Sequence, residues 1–210
     1  MNIYLIRHTS VDVPAGYAYG QTDVLLRPSF EEEAEKVKES LSGLTFDKVW
    51  CSPLTRCVRL ASYCGYPDAI REDRVKELNF GEWEMKSWED LSSDPRSEAW
   101  FADWINIRTP NGESLKDQYD RVSSFLDEIR KSGMQDVCIS FDLGSMPFDD
   151  RSKLTGRERL MYMDCLFFKV DCCIFSGREV YFGLLDSFEQ GEDIVIIDQN
   201  SYIIYLRIVA

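Results

Sequence analysis

The sequence predicts an α/β fold with a mostly parallel central sheet. Short apolar segments rich in β-forming residues alternate with longer segments of helical periodicity over the first two-thirds of the chain. Alternation of this kind is typical of a parallel sheet covered by helices. With 210 residues and 24.4 kDa, the chain is long enough for one domain with a sizeable core, and we predict a single domain over 1–210.

The first strand and the first helix have distinct signals. Residues 2–6 are apolar and end abruptly in the polar stretch 7–9, as expected for a central strand that delivers side chains to a sheet edge. A loop rich in Gly, Pro and Tyr follows. Ser29 is predicted to cap a helix that runs to about Leu41, since glutamates fill its first turn.

The remaining elements follow from similar patterns. Ser114 and Asp117 predict a capping box, with Asp in place of the usual Glu or Gln. Residues 141 to about 190 carry mixed signals and predict no clear element. The other predictions are a strand at 46–51, a helix from Pro53 to about 64, an extended segment to 75, turns at 81 and 111–112, short helices across 88–104, a helix from 114 to about 131, and strands at 136–140, 193–197 and 202–209.

Charge and hydropathy exclude some classes of partner. The formal net charge of −13 argues against nucleic acid or an anionic membrane, because an acidic surface repels both. No apolar run approaches the roughly 20 residues that cross a bilayer. The first residues lack a basic stretch followed by a long apolar one, so no signal peptide is predicted and we expect a cytoplasmic protein.

The seven cysteines are predicted to be small buried side chains. They stand at 51, 57, 64, 138, 165, 172 and 173 without a CxxC pair, and the chain has one histidine. A zinc site is therefore not expected, and neither is a disulfide framework in a cytoplasmic chain of this size.

Five motifs in order resemble those of the histidine phosphatase superfamily, also called phosphoglycerate mutase-like. They are 7–9 (RHT) after the first strand, 19–24 (YGQTDV), 52–57 (SPLTRC), 77–84 (ELNFGEWE), and 112–114 (GES) with 121–122 (RV). The resemblance covers about 1–140 and leaves 141–210 atypical. It implies a three-layer α/β/α sandwich. The loop at 19–24 and the block at 77–84 look most like alpha-ribazole phosphatases, which remove a 5′-phosphate during assembly of the cobalamin lower ligand.

The chemistry explains why these residue types occur together. An imidazole can attack phosphorus when it is neutral on one nitrogen and oriented through the other, which divides hydrolysis into two displacements. The phosphoryl oxygens then need fixed cationic donors, and guanidinium groups bind them bidentately. The resemblance therefore implies His8 as nucleophile and Arg7 and Arg56 as phosphate ligands. It implies Glu77 as the group that protonates the leaving oxygen.

The resemblance further implies substrate contacts from the loop and no metal or cofactor. The loop residues are Gly20, Gln21 and Thr22. Plainer interpretations stay open at this point: Arg56 as a solvated cation and Glu77 as an ordinary exposed glutamate. The four tryptophans of the middle region are expected to serve core or lid packing: Trp83, Trp88, Trp100 and Trp104.

One family feature is missing. The family carries a second catalytic histidine directly after a late strand, where this chain has Phe141-Asp142-Leu143-Gly144. Loss of one transition-state donor costs about 3–4 kcal/mol, on the order of 10²–10³ in rate. A carboxylate at Asp142 would repel phosphate if it faced the pocket. Natural divergence or a shifted reading frame near codon 140 would explain the change.

The sequence predicts a phosphomonoesterase acting on a small phosphorylated metabolite, with activity impaired by the missing histidine. Alpha-ribazole 5′-phosphate is the substrate that the resemblance favours, and a mutase ranks below hydrolysis. The alternatives are a pseudophosphatase that binds a phosphorylated ligand or protein, and a defective product whose tail does not complete the fold. The sequence predicts no oligomeric state.

Overall fold

A computed structural model describes residues 1–141 together with the strands at 193–197 and 203–207. The strands are β1 Asn2–Arg7, β2 Tyr17–Ala18, β3 Lys48–Cys51, β4 Ile70–Arg71, β5 Lys86–Ser87, β6 Asp136–Phe141, β7 Asp193–Ile197 and β8 Ile203–Arg207. The helices are α1 Phe30–Ser40, α2 Thr55–Tyr63, α3 Trp88–Ser92, α4 Ser97–Ala102 and α5 Leu115–Arg130. Single 3₁₀ turns lie at Asp73–Val75 and Gly81–Trp83.

The central sheet is mostly parallel, as predicted. Its order is β4-β3-β6-β1-β7-β8, and only the β7–β8 pair is antiparallel. β1 lies between β6 and β7, so the first strand of the chain is central. A strand buried between two neighbours needs a near-continuous apolar sequence, and residues 3–6 provide it.

Helices cover both faces of the sheet, which confirms the layered architecture. Alternate residues of a strand point to opposite faces. Ile3 and Leu5 pack with the apolar side of α5, including Phe125. Ile6 packs on the other face with α1 and α2, through Val37 and others.

The helix starts show one correct and one wrong capping prediction. Ser114 accepts a hydrogen bond from the Asp117 amide, and the Asp117 carboxylate accepts one from the Ser114 amide, so the capping box is confirmed. Ser29 directly precedes α1 at the capping position, but among the described residues its hydroxyl accepts no backbone N–H. It donates to the Glu33 carboxylate at 2.7 Å instead, because its backbone is already helical.

Boundaries of two other elements differ from the prediction. β3 begins at Lys48 rather than at residue 46, since the Asp47 carboxylate accepts the amides of Gln135 and Asp136 at the end of the sheet. α2 begins at Thr55, two residues beyond Pro53.

The aromatic residues of the middle region form a packed cluster, as predicted. Trp83 and Trp100 are fully buried, with rings 5.5 Å apart at nearly right angles. Trp88 stacks on Trp100 at 5.9 Å, and Trp104 packs against the same cluster. The short antiparallel pair of β2 and β5 lies beside it, and Ala18 of β2 belongs to the cluster.

Some predictions concern residues that the structure does not describe. The burial of Cys51, Cys57 and Cys138 is confirmed, and Cys64 is half-buried. The cysteines at 165, 172 and 173 and the rest of the segment 142–192 lie outside the described residues. The final strands are confirmed at 193–197 and 203–207. Within the described part of the chain, no helix is both long and apolar enough to cross a bilayer.

Candidate active site

Three predicted site residues reach one edge of the sheet. β3, β6 and β1 are adjacent and parallel, so their carboxyl ends meet at the same edge. Arg7 is the last residue of β1 and pairs in register with Phe141, and His8 follows it directly. Arg56 lies in the first turn of α2, shortly after β3. Two strand spacings, about 10 Å, separate β1 from β3.

The His8 ring has a defined orientation. The side chain is 3% exposed, and its Nδ1 lies 2.6 Å from the carbonyl oxygen of Thr9. A carbonyl oxygen only accepts hydrogen bonds, so Nδ1 carries a proton, and in the neutral ring Nε2 carries the lone pair. The structure thus holds His8 in the tautomer that a nucleophile attacking through Nε2 requires.

Arg56 is buried and held by the loop between β2 and α1. Its Nη2 donates to the Gly20 carbonyl at 2.6 Å and its Nη1 to the Thr22 carbonyl at 2.9 Å. Its guanidinium also lies over the Tyr19 ring, 5.4 Å from the centroid. The side chain is 0% exposed, so the alternative of a solvated surface cation is wrong. Arg7 is also buried, at 8% exposed.

Glu77 is buried as well, at 5% exposed, which excludes an ordinary surface glutamate. Its Oε1 accepts from the Leu78 amide at 2.7 Å and from Gln118 Nε2 at 3.2 Å. Its backbone carbonyl accepts from Arg121 at 2.8 Å and from Gln21 Nε2 at 2.9 Å. Both ends of the residue are therefore anchored by neighbouring elements.

The predicted substrate loop binds the rest of the protein closely. The amides of Gln21 and Thr22 both donate to the Glu84 carboxylate, and the Thr22 hydroxyl does so at 2.6 Å. Asp23 accepts from the Thr55 amide at 2.9 Å and thereby caps the start of α2. The loop thus sets the position of the helix that carries Arg56, and the substrate contacts of Gly20, Gln21 and Thr22 stay a prediction.

Sequence reasoning missed four residues that hold this site together. Glu84, Glu113 and Arg121 stand inside the motifs, yet no role was assigned to them. Arg121 donates to the Glu113 carboxylate and to the backbone carbonyls on either side of Val75, which fixes the segment before Glu77. Gln118 lies outside the motifs, and its signal is a polar residue on the otherwise apolar buried side of α5.

Burial and ion pairing shift the pKa values of two groups outside the candidate site, Cys138 and Glu72. Burial raises the pKa of the Cys138 thiol on β6 far above neutrality, so this group stays protonated and unreactive. The Arg74 guanidinium beside Glu72 holds the pKa of that carboxyl below its usual value. Among the described residues, no cluster of His, Cys, Asp and Glu has the makings of a metal site.

Comparison with known proteins places this geometry in context. The model of the histidine phosphatase superfamily (branch 1) matches residues 3–141. An adenosylcobalamin/alpha-ribazole phosphatase of Escherichia coli K12 is 31% identical over 133 residues, 60% of this chain. Phosphoserine phosphatase 1 of Hydrogenobacter thermophilus is 29% identical over 137 residues, 62% of this chain. In both cases the match spans 65% of the relative's length.

A solved structure agrees with the sequence relatives. The alpha-ribazole phosphatase of Shigella flexneri is 25% identical, with a TM-score of 0.58 over 67% of this chain and 73% of its own length. The fold is therefore phosphoglycerate mutase-like. Residues 3–141, which the family model matches, contain all the site residues described above. The chain belongs to the histidine phosphatase superfamily.

Proposed function

We propose that this chain hydrolyses a small phosphomonoester through a phosphohistidine intermediate at His8. The observation that carries the proposal is the hydrogen bond from Nδ1 to the Thr9 carbonyl, at the sheet edge that also receives Arg7 and Arg56. This bond leaves the lone pair on Nε2, and two guanidinium groups supply the positive charge that a phosphoryl group requires.

The reaction has two displacements. In the first, Nε2 of His8 forms a bond to phosphorus while the bond from phosphorus to the ester oxygen breaks, and Glu77 gives its proton to the departing alkoxide. In the second, water attacks phosphorus and passes a proton to the Glu77 carboxylate. The bond between phosphorus and nitrogen then breaks, and inorganic phosphate leaves with the enzyme restored.

Arg7 and Arg56 would stabilise the charge on the non-bridging oxygens in both steps. The Arg56 guanidinium is fixed in orientation before substrate arrives, so little reorganisation is needed at the moment of reaction. Preorganised donors of this kind contribute about 3–4 kcal/mol each to the barrier. No residue role here requires a metal or a cofactor.

Alpha-ribazole 5′-phosphate is the substrate that we propose. Its support is the family match together with the alpha-ribazole phosphatases of E. coli and S. flexneri among the relatives. The phosphoserine phosphatase among them makes phosphoserine the natural comparison substrate. We also propose a single domain and a cytoplasmic location, and the charge of −13 favours a small phosphorylated metabolite as partner over nucleic acid or an anionic membrane.

The test is phosphoenzyme trapping with a ³²P-labelled phosphomonoester. The chain has one histidine, so an acid-labile, alkali-stable label on this protein identifies His8. We expect such a label in the wild type and in Glu82→Gln, whose carboxylate binds Arg96 on the surface, and none in His8→Ala. Absence of both label and turnover with several phosphomonoesters would reject the proposal.

A second candidate function is binding of a phosphorylated ligand without turnover. The observation that favours it is the single histidine of the chain, because the family's second catalytic histidine is missing. Stabilisation of the fold by phosphate or a phosphomonoester, without label or product, would support this candidate. Reading the nucleotide sequence after codon 140 in the other two frames tests the frame-shift explanation directly.

A further inference from the structure

We infer that Glu84 is a positioning residue that orients the Arg56 guanidinium through the peptide groups of the loop 20–22. The inference rests on the proposed function, since it assigns Arg56 to phosphate binding. Glu84 does not touch Arg56 in the contacts that the structure shows. It acts on the loop that lies between them.

The first step is the set of donors that converge on the Glu84 carboxylate. Oε1 accepts from the amides of Gln21 at 2.9 Å and Phe80 at 3.0 Å. Oε2 accepts from the amide of Thr22 at 3.1 Å and from its hydroxyl at 2.6 Å. Four donors around one half-buried carboxylate fix both the loop and the turn at 80–84 to a common point.

The second step is that the loop also binds Arg56, and one of its peptide groups contacts both Glu84 and Arg56. The Gly20 carbonyl and the Gln21 amide belong to one peptide unit, which accepts from Arg56 Nη2 and donates to Glu84. The Thr22 carbonyl accepts from Nη1. A chain of hydrogen bonds from guanidinium through peptide to carboxylate polarises each member and strengthens the others.

The third step is the close approach of the loop backbone at Gly20 to the Glu84 carboxylate. Gly20 has a φ of +22°, and a Cβ there would collide with Glu84 Oε1 and with the backbone oxygen of Leu78. Only glycine lets the peptide approach the carboxylate this closely. The loop is therefore built for contact with Glu84, and a shift of this peptide moves the two carbonyls that hold the guanidinium plane.

Glu84→Gln tests the inference because it keeps the size of the side chain. An amide replaces one carboxylate oxygen with a donor, so at least one loop amide or hydroxyl faces another donor. We expect the dissociation constant for inorganic phosphate, measured by titration calorimetry, to rise roughly ten- to hundredfold. Glu82→Gln, two residues away on the surface, is expected to match the wild type.

A double-variant comparison separates positioning from general stability. Arg56→Lys keeps the charge but loses the planar fork that reaches both carbonyls. In that background we expect Glu84→Gln to change phosphate affinity by no more than about twofold, because the hydrogen bonds between the guanidinium fork and the two loop carbonyls are already lost. If Glu84→Gln does not fold, Glu84→Asp gives the same comparison, since its shorter carboxylate cannot reach every loop donor.

The possible outcomes are distinct. A wild type that binds no phosphate overturns the proposed function, and the inference with it. A wild type that binds phosphate while Glu84→Gln binds equally well overturns the inference alone. An equal loss in the wild-type and Arg56→Lys backgrounds assigns Glu84 a purely structural role and also overturns it.

Discussion

Replacing Gly20 by alanine is expected to destabilise the protein strongly. The φ of +22° is unfavourable for any side chain, at a cost of about 1–2 kcal/mol. The new Cβ would also collide with the Leu78 backbone oxygen and the Glu84 carboxylate, and a backbone atom cannot rotate away. Forced overpacking adds about 1–3 kcal/mol. We therefore expect Gly20→Ala to lower the free energy of unfolding by about 2–5 kcal/mol.

Gly16, on the other side of the short strand β2, is the matched control. Its φ is +82°, and a Cβ built there meets no atom within 4 Å. Gly16→Ala should therefore show the backbone cost alone, about 1–2 kcal/mol. In thermal unfolding of a chain this size, Gly20→Ala should lower Tm by on the order of 10 °C and Gly16→Ala by about half of that or less. Equal losses in the two variants would show that the close approach at Gly20 does not exist.

Three further predictions concern helix capping, acid stability and the missing histidine. Ser114→Ala should lower Tm by about 2–4 °C, since it removes a cap that contributes about 1 kcal/mol, whereas Ser29→Ala should change it less because that hydroxyl caps no amide of the described residues. The Arg108 guanidinium holds the pKa of Asp117 well below its usual range, so the stability that Asp117 contributes is present above about pH 4 and is lost as pH falls. The unfolding free energy of Asp117→Asn in urea should accordingly vary less than that of the wild type between about pH 5 and pH 2. Phe141→His, which puts a histidine where the family carries its second one, should raise phosphomonoester turnover by on the order of 10²-fold, and an unchanged rate would show that the second histidine does not limit this chain.

The fold of the described region was predictable because its signals are local. Apolar runs such as that of β1 and capping residues such as Ser114 act within a few positions of the chain. Ser29 shows the limit of this reasoning. Its residue type fits a cap, but its backbone is already helical and its hydroxyl donates to the Glu33 carboxylate instead of accepting an amide. The backbone angles of a capping residue are not specified by its residue type.

The residues of the candidate site could be predicted from the sequence, but the hydrogen bonds that hold them in place could not. His8, Arg56 and Glu77 were identified from motifs, and all three are buried at the expected places in the fold. The sequence could not show that Gln118 contacts Glu77, because 41 positions separate them and only tertiary packing brings α5 to that segment. Long-range hydrogen bonds to backbone carbonyls, such as those of Arg121, leave no pattern in a single sequence.

These long-range contacts hold the candidate site together without the segment that follows β6. The loop that holds Arg56, the carboxylate of Glu84 that holds the loop, and the donors of Gln118 and Arg121 that hold Glu77 all lie within residues 1–141. None of these bonds uses a residue beyond β6. The tail contributes β7, which pairs with β1 along the sheet. If the proposed function holds, we therefore expect phosphate binding to depend on the hydrogen bonds within residues 1–141, and turnover to be limited by the second histidine that the sequence does not supply.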